Sequence, residues 1–321
     1  MCLENGGFLD PLLVPSGSVR GPSLTNPSVC VRNGEVIVNL RNLNYVLYHS
    51  ERGIFEHGWG PLCYLHQEND IRLATENVLC VFDSKFKIIR HDVIDTSFLD
   101  ETPLWEFVGL EDGRLVDWDG KMFLVGVRRD TTTNGQGRME LSELVTKSNK
   151  VIEKSRMRIP APAPDVSYCE KNWMPVLDRP YTFVKWTNPT EVVEFNPTDR
   201  TCKTIFLSEH KPFETSDLRG GSQVIPLDEH YLAIVHEVHL YNSEAGKKNA
   251  DYKHRFVVWN KDFELVEVSE AFKFMGGKIE FCCGMAECQG IILMTFGFQD
   301  NAAYLLGAPK QILGRFLKTY A

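Results

Sequence analysis

The chain contains 321 residues, of which 43% are hydrophobic and 24% are charged, and its formal net charge is −8. That composition is typical of a soluble globular domain, and the negative charge argues against nucleic acid or an anionic membrane surface as a partner. Basic residues occur in short pairs such as Arg128 and Arg129, and the sequence contains no run of about 20 apolar residues that could span a bilayer.

The nine cysteines and the amino terminus bear on the cellular compartment. The cysteines are scattered and no Cys-x-x-Cys pair recurs, so we expect reduced thiols and no structural metal. Residues 1–15 lack the basic segment and the apolar run that a secretory signal peptide requires. We therefore expect a cytoplasmic protein.

Short apolar segments follow one another along the chain and end at Gly, Asp, Asn or Pro. They are rich in Val, Ile, Phe, Tyr and Trp, which favour strands, and their ends favour turns. Helical periodicity is scarce, so the sequence predicts an all-β fold. The predicted strands include residues 35–40, 77–82, 121–127, 181–186, 231–235, 255–259 and 291–296.

One pattern recurs five times: a polar signature, an apolar strand, a turn and a second strand. Repetition of such a unit predicts a propeller, whose inner strands surround a central channel. We therefore predict a single five-bladed β-propeller over residues 1–321 with a central funnel, and a β-sandwich is the alternative. The copies begin at Asn26-Pro27-Ser28-Val29, Glu111-Asp112-Gly113-Arg114, Lys171-Asn172-Trp173-Met174-Pro175, Gly220-Gly221-Ser222 and Glu280-Phe281-Cys282.

Three segments lie outside this pattern. Residues 1–20 are predicted to be an N-terminal extension. Residues 309–321 are predicted to be a short helical tail, because Ile312, Leu313, Phe316 and Leu317 fall on one side of a helix. The polar segment 237–252 is predicted to be a long exposed loop.

Adjacent carboxylates open the second copy, at Glu111 and Asp112. Successive side chains of a strand point to opposite faces, so we expect one carboxylate to face the funnel and the other to face the blade. A desolvated carboxyl beside another acid has a raised pKa and can act as a general acid, which makes Asp112 the candidate catalytic residue. The alternative is a plain hairpin turn, because Asp-Gly is a common turn pair.

Polar and aromatic residues from distant positions would meet these carboxylates if the five copies share one funnel. Cationic side chains around a funnel suit a phosphate or a nucleotide diphosphate. Aromatic rings suit the apolar face of a sugar, and core packing is the alternative for each of them. The polar candidates are Asn26, Arg41, Lys171, Asn172, Arg219, His236, His254, Arg255 and Glu280, and the aromatic ones are Trp105, Tyr168, Trp173, Trp186, Phe296 and Phe298.

In their order, the motifs resemble those of the five-bladed propeller enzymes of glycoside hydrolase family 130 and of the related mannosyltransferase/phosphorylases of glycosyltransferase family 108. The resemblance runs from Asn26 to about Ala308. Its central motif is Gly109-Leu110-Glu111-Asp112-Gly113-Arg114-Leu115, which is similar to the family's Gly-x-Glu-Asp-Pro-Arg. The other matching segments are Asn26-Pro27-Ser28-Val29 with Leu40-Arg41, Lys171-Asn172-Trp173-Met174-Pro175, Ala233-Ile234-Val235-His236, Phe281-Cys282-Cys283-Gly284 and Phe296-Gly297-Phe298-Gln299-Asp300.

The resemblance implies roles for these residues. Asp112 would be the general acid, whose proton reaches the glycosidic oxygen through a sugar hydroxyl while phosphate attacks the anomeric carbon with inversion. Asp300 would bind the sugar. The phosphate ligands would be Arg41, Lys171 and His236, with Arg219 as an addition, and the remaining members of the substrate and phosphate site would be Asn26, Glu111, Arg114, Asn172, Arg255 and Glu280.

Two departures from the family pattern affect the expected chemistry. Gly113 stands where proline is expected, and Glu237 follows His236 where glycine is usual. These departures are compatible with a phosphate pocket that is altered to take a sugar nucleotide or that is lost. In hydrolases of this fold carboxylates replace the phosphate ligands, and Glu237 or Glu280 could then activate water in an inverting arrangement.

We therefore expect a carbohydrate-active enzyme that transfers a glycosyl group, either a glycoside phosphorylase or a glycosyltransferase. The alternatives are an inverting exo-glycosidase and a non-catalytic carbohydrate-binding propeller. No cofactor is expected beyond inorganic phosphate or a sugar nucleotide as co-substrate. The expected partner is a small-molecule sugar or glycan, and a homo-oligomer is compatible with the sequence.

Overall fold

The computed structural model describes residues 1–51, 58, 60–208, 211–215 and 217–321. The strands form five antiparallel blades of a β-propeller, so the predicted fold is confirmed. In the described ranges, no helix is long and apolar enough to cross a membrane.

Blade 1 carries an extra hairpin between its second and third strands. Its spatial order is β2-β3-β6-β7, and β8 pairs in parallel with β6. The hairpin β4–β5 forms a separate two-stranded sheet. The elements up to this point are the 3-10 turn Leu3–Asn5, β1 (Phe8–Pro11), β2 (Ser23–Arg32), β3 (Glu35–Leu43), β4 (Val46–His49), β5 (Leu62–Leu65), β6 (Leu73–Phe82), β7 (Ile88–Val93) and β8 (Phe107–Val108).

Blades 2 and 3 are four-stranded meanders. The turn between the first two strands of blade 2 is Asp119-Gly120, with φ of 53° and 73°, the left-handed geometry that a tight hairpin requires. The strands of blade 2 are β9 (Glu111–Trp118), β10 (Lys121–Arg128), β11 (Arg138–Lys147) and β12 (Lys150–Arg158), and those of blade 3 are β13 (Met174–Pro175), β14 (Thr182–Thr187), β15 (Thr190–Asn196) and β16 (Thr201–Leu207).

Blade 4 corrects one prediction. Residues 237–252 are not a loop, because β19 and β20 continue as a long antiparallel hairpin through most of that segment. The pairing extends because both strands supply backbone partners out to Asn242 and Lys248. The strands of blade 4 are β17 (Arg219–Gly220), β18 (Ile225–Leu227), β19 (His230–Asn242), β20 (Lys248–Trp259) and β21 (Leu265–Val268).

Blade 5 closes the ring with strands from both ends of the chain. Its order is β22 (Glu280–Cys288), β23 (Ile291–Phe298), β24 (Ala302–Pro309) and then β1 from the amino-terminal segment. The tail that follows consists of two 3-10 segments, Lys310–Arg315 and Lys318–Tyr320. Ile312, Leu313 and Leu317 are buried against blades 4 and 5, as an apolar side of the tail predicts.

The hydrophobic core lies between blades. Five clusters of buried apolar side chains each join one blade to the next around the ring. In the cluster between blades 1 and 2, for example, Val151 and Leu115 of blade 2 pack with Leu79 of blade 1. Because each blade contributes to two clusters, burial of apolar surface holds the inner strands in a fixed ring.

Candidate active site

Three inner-strand segments share a backbone irregularity near their beginnings. Asn26, Asp112 and Asn172 have φ values of 41°, 51° and 63°. Asn and Asp tolerate this left-handed region better than most residues, and such strain often marks functional sites. The β9–β10 ladder shifts register at Asp112 and Gly113, and the β2–β3 ladder shifts at Asn26.

The irregularity at Asp112 overturns the expected alternation of the two adjacent carboxylates. Arg41 Nη2 donates to Glu111 Oε2 at 3.1 Å, and Arg41 Nη1 donates to Asp112 Oδ1 at 2.8 Å. Both carboxylates therefore meet the same guanidinium, and the prediction that they face opposite sides is wrong. The left-handed residue and the register shift break the period of two that alternation requires.

Arg41 is committed to this cluster through all three of its nitrogens. Besides the two carboxylates, its Nε donates to Thr75 Oγ1 at 3.1 Å and its Nη2 donates to the Tyr45 hydroxyl at 3.2 Å. The residue is 4% exposed. Its contacts position Glu111 and Asp112, and its predicted role as a phosphate ligand stays a prediction.

Asp112 is held from several directions. Asn26 Nδ2 donates to Asp112 Oδ1 at 2.8 Å and also approaches Asp300 Oδ1 at 3.4 Å. Arg114 Nη1 donates to the backbone carbonyl of Asp112 at 2.8 Å, and the Cys283 thiol lies 3.5 Å from the same oxygen. The structure thus brings residues of blades 1, 2 and 5 together around one carboxylate.

The three carboxylates differ in their pKa. Burial raises the pKa of Asp112, but the charge of Arg41 and the hydrogen bond from Asn26 outweigh it, so its pKa lies below the ordinary value. The expectation of a raised pKa at this residue is therefore wrong. Burial raises the pKa of Glu111, whose Oε1 has no partner in the described part of the chain, and it also raises the pKa of Asp300.

A cationic group lies beside these carboxylates. Arg219 and His236 face each other across the β17–β19 ladder, and Arg114, Arg219 and Lys171 are close enough to act electrostatically on His236. Burial, then the neighbouring His254 and these cations, lowers the pKa of His236 well below its ordinary range, so its imidazole is neutral.

Two buried nitrogens of this cationic group have no partner among the described residues. They are Nη2 of Arg114 and Nδ1 of His236, on side chains that are 1% and 3% exposed as residues. Lys171 is exposed, yet it acts electrostatically on Glu111, Asp112 and Asp300. An unpartnered buried guanidinium N–H is costly, so Nη2 of Arg114 favours an acceptor such as an anion.

Three tyrosines that were not predicted from the sequence lie within electrostatic range of Asp300. Tyr45, Tyr64 and Tyr252 each feel its negative charge, which adds to burial in raising their pKa values. The ring of Tyr252 stacks on His236 at 5.7 Å between centroids. A signal for one of them existed, because Tyr45 follows Arg41 by four residues in the first-blade motif.

Two candidates are engaged in other contacts. Arg255 pairs with Glu237 at 3.2 Å and donates to the backbone carbonyl of Ser269 at 2.8 Å. Its partner across the ladder is Val235, which is buried on the other side of β19 from His236. Arg255 is therefore not brought into the cluster, and Glu237 is engaged with it.

Glu280 is fully buried and stabilises a neighbouring loop. Its carboxylate accepts backbone N–H groups of Phe274, Met275 and Gly277 at 2.6, 3.0 and 2.7 Å. Asn172 is buried and has an unpartnered Oδ1 in the described part of the chain. Of the aromatic candidates, Trp173 and Phe296 pack in the core between blades.

Gln223 joins the inner strands of three blades. Its Nε2 donates to the carbonyls of Val29 and Leu115 at 2.9 and 2.7 Å, and its Oε1 accepts from the N–H of Met285 at 3.0 Å. The side chain is fully buried. Nothing in the sequence marks Gln223, because a lone glutamine between two short strands carries no pattern.

A separate cleft of about 1200 Å³ lies between the outer parts of blades 1 and 2. Two of its arginines are already paired, Arg128 with Glu140 at 2.6 Å and Arg156 with Glu153 at 2.5 Å. The cluster around Asp112, with the unpartnered Nη2 of Arg114 and the amide that Asp112 and Asp300 share, is the better candidate for an active site. Among the described residues, no group of three or more His, Cys, Asp or Glu side chains is arranged to hold a metal ion.

The comparisons with known proteins bear on the fold. A scan against protein families finds no match, and a search of curated protein sequences finds none either. Solved structures do match along nearly the whole chain. A β-1,2-mannobiose phosphorylase from Listeria innocua aligns with 96% of this chain and 96% of its own, at 13% identity and a TM-score of 0.54.

Two further structures give the same picture. A mannose phosphorylase from Leishmania mexicana, solved with a phosphate ion, aligns with 96% of this chain and 91% of its own, at 12% identity and a TM-score of 0.53. A third structure carries the description that the GH130 family of mannoside phosphorylases contains glycoside hydrolases. It aligns with 95% of this chain and 94% of its own, at 12% identity and a TM-score of 0.56. At these identities the similarity shows that the chain shares the fold of these solved structures.

Proposed function

We propose that the chain is a carbohydrate-active enzyme of the glycoside phosphorylase type, acting on a β-mannoside with inorganic phosphate as co-substrate. The observation that supports this most is that a group of carboxylates lies within electrostatic range of a group of cations. Asp112 and Asp300 share the amide of Asn26, and the cations around His236 lie beside them. Carboxylates can hold a sugar and move a proton, while the cationic group suits phosphate.

The proposed reaction needs no group beyond these side chains and the two substrates. A phosphate oxygen bonds to the anomeric carbon as the bond from that carbon to the glycosidic oxygen breaks. The leaving oxygen gains a proton from Asp112, and hydrogen phosphate loses the proton that restores Asp112 to its starting state. The products are a sugar 1-phosphate and the shortened sugar, and attack opposite the leaving group inverts the anomeric centre.

The low pKa of Asp112 fits the reverse reaction especially well. An ionised carboxylate is the form that acts as a general base, and Asp112 is ionised at neutral pH because Arg41 and Asn26 stabilise its charge. In synthesis it would take a proton from the acceptor hydroxyl while the sugar 1-phosphate releases phosphate. In phosphorolysis, the charge of bound phosphate would favour protonation of Asp112.

The hydrolase alternative is weakened by the contacts of the two carboxylates assigned to it from the sequence. Glu237 pairs with Arg255, and Glu280 is occupied by three backbone N–H groups. With these contacts, neither Glu237 nor Glu280 is placed beside Asp112, where a carboxylate would be needed to activate water. The transferase alternative uses the same funnel with a sugar nucleotide as the donor.

Product analysis tests the proposal. The purified protein is incubated with β-1,2-mannobiose with and without phosphate, with mannose 1-phosphate plus mannose, and with GDP-mannose plus mannose. We expect mannose 1-phosphate only when phosphate is present, and Asp112→Asn should lower its rate of formation by about a thousandfold or more while binding persists.

Each contrary result identifies another function. Free mannose formed equally with and without phosphate would show a hydrolase, and transfer from GDP-mannose alone would show a glycosyltransferase. If β-1,2-mannobiose binds in calorimetry but no product forms in any mixture, the chain is a carbohydrate-binding propeller.

A further inference from the structure

The hairpin β4–β5 is an addition to the propeller that reaches the candidate active site. It leaves blade 1 directly after Arg41 to Leu43 and returns to it before Leu73. Its first anchor is Tyr45, which is 3% exposed and accepts a hydrogen bond from Arg41. The hairpin is thus tied to the residue that positions Glu111 and Asp112.

Polar contacts also fix this hairpin to blade 5. Asn301, directly after Asp300, accepts from the N–H of Leu47 at 2.9 Å and donates to its carbonyl at 2.6 Å. The Glu51 carboxylate accepts the N–H of Lys278 and a hydrogen bond from the side chain of Gln299. These contacts hold the hairpin against the segment that carries Asp300.

A further contact joins the hairpin to blade 4. The His49 ring, which is buried, has its Nε2 2.8 Å from Asn249 Oδ1 on strand β20. The same strand carries Tyr252, whose ring stacks on His236. The hairpin is therefore bound on three sides, by Arg41, by blade 5 and by blade 4, and its position relative to Asp300 is fixed.

Tyr64 lies in β5 opposite Leu47, whose backbone is bound by Asn301 next to Asp300. Its ring meets the ring of Tyr45 edge to face, with centroids 5.4 Å apart and planes at 80°. The charges of Asp300, Glu111 and Arg41 act on its hydroxyl. That hydroxyl has no hydrogen-bond partner among the described residues, and the residue is 42% exposed, so part of the side chain is open to a ligand.

We infer that Tyr64 is a sugar-binding residue whose ring and hydroxyl form the outer wall of the subsite where Asp300 holds the mannoside. An aromatic ring offers a flat surface to the C–H face of a pyranose, and its hydroxyl can exchange hydrogen bonds with a sugar hydroxyl. Phosphate would bind to the cationic group around His236 instead. Tyr64 should therefore set the affinity for the sugar and leave the affinity for phosphate unchanged.

The inference rests on the proposed function, and steady-state kinetics test it. Initial rates of mannose 1-phosphate formation are measured with β-1,2-mannobiose varied at saturating phosphate, and with phosphate varied at saturating β-1,2-mannobiose. For Tyr64→Ala we expect the KM for β-1,2-mannobiose to rise about tenfold, the loss of one aromatic contact, while kcat and the KM for phosphate change less than about twofold.

Two further variants separate the contributions of the ring and of general packing. Tyr64→Phe keeps the ring and should raise the sugar KM by about threefold or less. Phe98→Ala removes another exposed aromatic side chain, 88% exposed and outside the funnel, and should change neither KM. If Tyr64→Ala lowers the Tm by several degrees, Tyr64→Leu replaces it, because leucine keeps apolar bulk without an aromatic face.

The outcomes distinguish this inference from the proposed function. If the wild type neither binds nor cleaves β-1,2-mannobiose, the proposed function fails and the role of Tyr64 fails with it. If the wild type is active and Tyr64→Ala has the wild-type sugar KM, the inference alone is refuted. An equal rise in both KM values would show a structural role and would overturn it too.

Discussion

Replacing Arg41 by methionine removes the charge that two shielded carboxylates share. The side chain of Arg41 is 5% exposed, and those of Glu111 and Asp112 are 15% and 16% exposed. Methionine keeps most of the length but none of the four hydrogen bonds that Arg41 makes. Removing one partner of a buried ion pair costs about 3–5 kcal/mol, so we expect the free energy of unfolding to fall by about that amount at pH 7.5.

The loss of unfolding free energy in the Arg41→Met variant depends on pH, and burial of the two carboxyls sets the direction. Without Arg41, burial raises the pKa of both carboxyls above their values in the unfolded chain. A carboxyl whose pKa is higher in the folded protein than in the unfolded chain stabilises the fold at pH values below its pKa in the unfolded chain. That stabilisation is lost as the pH rises through its pKa in the folded protein. The deficit of the variant relative to the wild type should therefore be full at pH 7.5 and smaller at pH 5.

Urea unfolding followed by tryptophan fluorescence at pH 7.5 and pH 5 measures both quantities. The matched control is Arg72→Met, which breaks an ion pair with Asp70 on the exposed surface and should leave the unfolding free energy unchanged within error. A loss below about 1 kcal/mol at pH 7.5, or an equal loss at the two pH values, would contradict the reasoning.

Three more predictions concern the channel and the funnel. Gln223→Ala should lower the free energy of unfolding by about 2–4 kcal/mol in urea titrations, since two buried carbonyls and one N–H lose their partner; a loss under about 0.5 kcal/mol would contradict this. Lys171→Met should raise the KM for phosphate about tenfold and leave the sugar KM unchanged in the phosphorolysis assay. The control is Lys121→Met, at another exposed lysine. If Lys171→Met has the wild-type KM for phosphate, the role of Lys171 in binding phosphate is refuted. Gly297→Ala places a Cβ 2.1 Å from Asn26 Oδ1 and should abolish turnover; wild-type rates would show that Asn26 need not hold its position.

The blades could be predicted from the sequence because their signals are local. Asn33-Gly34 and Asp119-Gly120 both adopt the left-handed geometry that tight hairpins need, and each lies between two apolar strands. Repetition of that unit gave the number of blades. The closing strand β1 could not be predicted in the same way, since its partner β24 lies almost 300 residues away in the sequence.

The candidate site was predictable in part. Arg41 was expected to share a funnel with Glu111 and Asp112 as a ligand of phosphate, and its direct contact with the two carboxylates was not predicted. The lowered pKa of Asp112 was not expected, because it depends on the exact approach of Asn26 and Arg41. Tyr64 was missed because it lies in a short hairpin outside the repeat, where no periodicity distinguishes it.

The left-handed residues in the inner strands explain why the site depends on the whole ring. A left-handed Asp112 interrupts its own ladder, so neighbouring blades must hold its segment in place. They do so through Ser28, which donates to the carbonyl of Gly113 at 2.7 Å, and through Arg114, which donates to the carbonyl of Gly221 at 2.9 Å. Strained backbone persists only where surrounding contacts determine it. The geometry around Asp112 is therefore a property of the closed propeller and does not follow from the second blade alone.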